Sequence, residues 1–131
     1  MPALAQILVP KLQRRFADRG LRTASPPSPC AVFPALYPEF GDIQIYNDGD
    51  ELTVVAGNFT HGHFSNYDEE LPARQKAEVI TDSVVRFLEE AFADEIVFWG
   101  SHDAAGGWHK KGERSQWQQV AKEYVWSSPP P

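Results

Sequence analysis

The sequence predicts an α+β protein: an antiparallel β-meander with a long amphipathic helix (about 71–92) packed on one face, plus N-terminal and C-terminal helices. Three observations predict it. Two alternating runs flank Asp48-Gly49, a pair that favours tight hairpins. Ala77, Ile80, Val84, Phe87, Leu88 and Ala91 recur at helical spacing and make one apolar stripe. Residues 95–99, EIVFW, then read as a short buried strand.

The elements follow in chain order. Residues 1–22 form a basic helical segment, with a helix over 3–19 carried by Leu4, Ile7, Leu8, Leu12 and Phe16. Pro10 either kinks that helix or starts a second one at Lys11, and Gly20 is placed to stop it. Residues 23–30 are a proline-rich linker ahead of an α+β core over 31–126. In that core 31–37, AVFPALY, is at best an edge strand, because Pro34 has no N–H for a ladder. With Asp48-Gly49 as the turn, Ile45 faces Leu52 and Ile43 faces Val54 on one side of the sheet. Asp42, Gln44, Glu51 and Thr53 take the other side.

The next strand has two registers. A turn at Gly57-Asn58 sends Phe59, His61 and His63 to the core. A three-residue loop, 57–59, sends Thr60, Gly62 and Phe64 there and leaves the histidines beside Glu51 and Thr53. The second register is favoured, since two buried imidazoles would need two buried partners. Asp68-Glu69-Glu70 before Leu71-Pro72 is a helix-start signature. Residues 100–112 are a glycine-rich loop, or a hairpin turning around Ala104–Gly107. Ser115–Gln118 matches a capping box, with Trp117, Val120, Ala121 and Tyr124 at helical spacing behind it. Tyr124-Val125-Trp126 reads equally as a closing strand, and 127–131 as a loose tail.

Composition narrows the function classes. A chain of 131 residues is expected to form one domain. Its single cysteine, Cys30, rules out an intrachain disulfide framework and favours a reducing, cytoplasmic setting. The N-terminus lacks the charged start of a signal peptide, and Ile96–Trp99 is too short to span a bilayer, so no membrane partner is expected. Net charge is −6, but residues 1–30 carry five basic side chains against one acidic. The remainder is strongly acidic and would repel phosphate backbones, which argues against nucleic acid. The basic segment either pairs with the acidic body, within one chain or between two, or presents a solvated helix face.

The histidines carry the candidate chemistry. His61 and His63 share one face of a strand with Gly62 between them, an arrangement suited to a divalent metal such as zinc. A third ligand would come from His102, Asp103 or His109 in the following loop. The plainer alternative is one packed and one surface histidine. No other cofactor is indicated: Gly106-Gly107 lacks the Lys-Ser/Thr ending of a phosphate loop. Ser101, His102 and Asp103 cannot form a triad by adjacency, and no Gly-x-Ser-x-Gly elbow occurs. Cys30 sits in the proline-rich linker without a base. An enzyme using His61 or His63 as general base is therefore the weaker alternative. For interaction, Trp108 follows two glycines and is expected as an exposed anchor. Asp48, Asp50, Glu51, Asp68, Glu69 and Glu70 would steer a basic partner.

The run GDIQIYNDGDELTVVAGNFTHGHF, with EIVFWGSHDAAGGW after it, resembles a small single-domain bacterial family of uncharacterised function over roughly residues 39–110. In size and charge the chain is similar to the immunity proteins of bacterial toxin systems. The acidic body, the missing catalytic motif and the expected surface Trp108 point to a non-catalytic module, immunity-like by that analogy, that binds a protein partner or a second copy of itself.

Overall fold

Residues 43–48, 51–56 and 60–64 fold as three strands of one sheet, with Ile43 and Ile45, Leu52, Val54 and Ala56, and Phe64 turned to one side. The computed structural model describes residues 3–57, 60–101, 104–111 and 122–127. Strands β1 (Arg22–Thr23), β2 (Ala31–Phe33), β3 (Ile43–Asp48), β4 (Glu51–Ala56) and β5 (Thr60–Phe64) form a five-stranded antiparallel sheet in chain order. Ile43, Ile45, Leu52, Val54 and Ala56 are buried on one side.

The β3–β4 register corrects the expected one. The turn is Gly49-Asp50 rather than Asp48-Gly49, so Ile45 faces Val54 and Ile43 faces Ala56. Gly49 has φ +64° at the first turn position, where a two-residue hairpin with a positive first φ wants glycine. The slip is two residues on the partner strand, so every side chain keeps its predicted face. It also leaves Asn47 inside β3, where its Oδ1 accepts the Ala5 N–H at 2.9 Å.

That bond caps helix α1 (Leu4–Arg15), whose own N-cap, Ala3, has no side-chain acceptor. Pro10 lies within this one helix on its exposed side, so no second helix starts at Lys11. The helix ends at Arg15, and Gly20 lies beyond its end rather than stopping it. Phe16 follows as C-cap and packs edge-on against Phe33 and Phe92. The linker is not free of the sheet: Thr23 pairs with Ala31, and the Cys30 N–H donates to Ile45 O at 2.8 Å. Pro34 ends β2 as its missing N–H requires, although β1 lies beyond β2, so β2 is not the outermost strand.

Helix α2 (Ala73–Phe92) packs beside α1 on the same face of the sheet. Its buried stripe is the predicted one, widened by Thr81, Val85 and Phe92. Lys11 meets Glu78 at 2.6 Å, Thr81 at 2.7 Å and Asp82 at 2.8 Å, and Arg15 pairs with Glu89. The two helices therefore run in the same direction, and the basic segment pairs with the acidic body inside one chain. Asp94, in the left-handed region at φ 59°, closes α2. Its N–H donates to Ala91 O and that of Glu95 to Glu90 O, the paired bonds of a Schellman end.

EIVFW is the middle of a second sheet: β6 (Ile96–Ser101) lies between β7 (Ala104–Lys110) and β8 (Lys122–Tyr124). Residues 104–107 are strand rather than the turn of the hairpin. The expected C-terminal helix at 115–121 lies outside the described residues, while Tyr124 falls on β8, the closing-strand alternative. Ser127, expected in a loose tail, is bonded to Asp94 through its N–H and its hydroxyl. Phe40 joins the layers, packing against Phe98 at 4.9 Å and Trp126 at 5.2 Å. None of the helices is long and apolar enough to cross a membrane, among the described residues.

Candidate functional site

Strand alternation decides what the outer face of the five-stranded sheet presents. Val54 pairs with Gly62, so Thr60, Gly62 and Phe64 face inward. This is the second of the two expected registers, and it turns His61 and His63 outward, both exposed. Phe64 meets Phe87 of α2 at 5.7 Å, so burial of that ring selects the register. Gly57, which opens the loop, has φ +56°. A Cβ there would lie 1.9 Å from Phe40 O, so only glycine fits the approach.

A polar network lies around His63. Thr53 Oγ1 donates to Asp48 Oδ2 at 2.5 Å and lies 3.1 Å from His63 Nδ1. Glu51 Oε1 is 3.0 Å from the same nitrogen. Thr53 is buried among these groups, whereas the His63 side chain stays half exposed. The rings of His61 and His63 stand nearly perpendicular, with centroids 5.3 Å apart. Neither His102 nor Asp103 is among the described residues. His109 lies on β7 opposite Val97. Among the described residues no group of three or more His, Cys, Asp or Glu is placed to hold a metal, so His109 does not complete the pair.

Leu52 pairs with Phe64, so the chain leaves β5 at the end of the sheet that holds the β3–β4 turn. Asp48 at the end of β3 and Asp50 of the turn are exposed, as are Asp68, Glu69 and Glu70 of the segment that follows β5. Asp68 Oδ1 accepts the Glu70 N–H at 3.0 Å, which fixes the local turn ahead of α2.

Trp108 is not the exposed loop anchor expected. It lies half-buried on β7, with its ring 4.7 Å from Phe87. A Cβ at Gly62 would fall 2.2 Å from its Cη2, so the indole occupies the space this glycine leaves. Trp108 thus joins β5 to the second sheet. It also lines a cleft of about 450 Å³ beside α2, with Val79, Arg86, Phe87, Ile96 and Lys110. Neither His61 nor His63 borders that cleft or the two between the helices. Burial pushes the Cys30 thiol up, away from the thiolate that nucleophilic chemistry needs.

Two of these features escaped sequence reasoning. Asn47 as the cap of a distant helix has no local signal. The Thr53–Asp48 bond could have been anticipated, since both residues lie on the outer face two pairs apart across one hairpin. Compared with protein-family models, curated proteins and solved structures, the chain matches none.

Proposed function

We propose that this protein is a non-catalytic binding module that engages a basic protein partner through the acidic end of its five-stranded sheet. One observation carries the reading: its carboxylates are paired unequally. Along the helices Glu78, Asp82 and Glu89 are met by Lys11 and Arg15. At the sheet end Asp48, Asp50, Asp68, Glu69 and Glu70 are exposed, and no lysine or arginine among the described residues forms an ion pair with them. Like charges held together repel, and a basic partner relieves that repulsion while the field speeds encounter. A partner-neutralising role of the immunity type fits this chemistry.

The test is titration of the purified protein with the purified products of neighbouring genes, by calorimetry at low and high salt. One of them should bind. Neutralising Asp50, Asp68, Glu69 and Glu70 together to their amides should weaken that binding about tenfold or more at low salt. Binding of none, or an affinity indifferent to the neutralised charges, rejects the reading.

A further inference from the structure

We propose that His61 and His63 form an open two-imidazole site for a divalent transition metal, zinc being the reference ion, on the outer face of the sheet. The first support is the proton arrangement that the surroundings of His63 impose. Thr53 has one hydroxyl proton and donates it to Asp48 Oδ2 at 2.5 Å. Its oxygen is then an acceptor toward His63 Nδ1, 3.1 Å away. Glu51 Oε1, also an acceptor, lies 3.0 Å from that nitrogen. In the neutral ring Nδ1 must therefore carry the hydrogen, and the lone pair falls on Nε2. Histidines that ligate metals use this arrangement: one nitrogen donates to an outer carboxylate or hydroxyl, and the other binds the ion.

The second support is the spacing of the rings. Two imidazoles on one tetrahedral zinc, with Zn–N of about 2.0–2.1 Å and ring centres roughly 1.1 Å further out, place their centroids about 5.2 Å apart. The observed separation is 5.3 Å with the rings near perpendicular, a spacing that admits one ion between them. Gly62 contributes no side chain and points to the opposite face, so nothing on β5 lies between the rings. Asp48 and Glu51 add negative charge beside the pair. With no third protein ligand among the described residues, water or a partner's side chain completes the coordination. Imidazole donors select zinc, copper or nickel over magnesium and calcium.

Calorimetric titration of the full chain, free of any histidine tag, with zinc chloride tests the proposal. One equivalent should bind. His61→Ala and His63→Ala should each weaken binding about tenfold or more, and Glu51→Gln, acting through His63, about tenfold. His109→Ala and calcium in place of zinc serve as controls, expected to show unchanged zinc binding and no binding respectively. Long-range proton–nitrogen spectra should show His63 protonated on Nδ1 before zinc, with both ring spectra shifting after it. No stoichiometric binding at millimolar zinc, alanine variants that bind zinc as tightly as the parent, or an Nε2-protonated His63 overturns the proposal. If an alanine variant fails to fold, the wild-type ring spectra alone decide: unshifted rings at saturating zinc reject the site.

Discussion

Two glycines with similar backbones and different surroundings allow strain and crowding to be separated. Gly49 and Gly57 have φ of +64° and +56°, so alanine at either position is forced into the left-handed region. That conformation costs an L-residue about 1–2 kcal/mol. At Gly49 a new methyl group meets nothing within 4 Å, so the conformational cost is the whole cost. At Gly57 it meets Phe40 O at 1.9 Å, a backbone atom whose own ring is wedged between Phe98 and Trp126. Relief requires moving that backbone, and overpacking of this kind costs a further ~1–3 kcal/mol. Gly49→Ala should therefore lose about 1–2 kcal/mol and Gly57→Ala about 2–5 kcal/mol. Urea unfolding of both variants beside the parent measures the difference. Losses that agree within about 0.5 kcal/mol would refute the contact at Phe40 and, with it, the reason given for the loop that sets the histidine register.

Other outcomes follow from the same contacts. Asn47→Ala should cost about 1 kcal/mol by uncapping α1, while Asn47→Asp, which keeps an acceptor for the Ala5 N–H, should cost less in the same urea assay. Trp108→Ala should cost about 3 kcal/mol and loosen amide-exchange protection in β5, because the indole fills the gap at Gly62. Burial, with Tyr124, Asp94 and Glu39 nearby, pushes Tyr37 up to about 12, and its hydroxyl donates to Val125 O. A folded value above the unfolded one means this contribution is complete below about pH 10 and is lost as pH climbs toward 12. Tyr37→Phe should flatten that alkaline loss in pH-dependent unfolding. Lys11 acts in the same direction: burial opposes its charge, but its hydrogen bonds to Asp82 and Glu78 and their negative charge outweigh that and raise its pKa. Lys11→Met should likewise reduce the loss of stability above about pH 10.

Faces were legible in the sequence where pairings were not. The alternation of Ile43, Ile45, Leu52 and Val54 fixes which side each residue takes, and a slip of two leaves it intact. It cannot decide between Asp48-Gly49 and Gly49-Asp50, because both put glycine in the turn. In the observed register Asn47 lies within β3 and caps a helix 42 residues away in sequence. The outward histidines could be read, because burying Phe64 and burying two imidazoles exclude each other. The second sheet was read less well. Gly106 and Gly107 look like a loop, yet Gly107 lies in β7, where a Cβ would come within 2.6 Å of Trp99 Cζ2. The same close approach of ring to backbone, at Gly62, hides half of Trp108. Glycines that make room for tryptophans and glycines that make turns are the same letter in a sequence.

The meander's strand order, identical to chain order, has a consequence for synthesis. Each strand from β1 to β5 can pair with the one made just before it, so this sheet can assemble while translation continues. The aromatic cluster cannot. Phe40 and Phe92 both wait for Trp126, which is 2% exposed and seals the space between them. Until Trp126 has been made and Ser127 can reach Asp94, a growing chain holds a finished sheet over an unfilled core. Until then a holding chaperone has the uncovered rings of Phe40 and Phe92 to grasp.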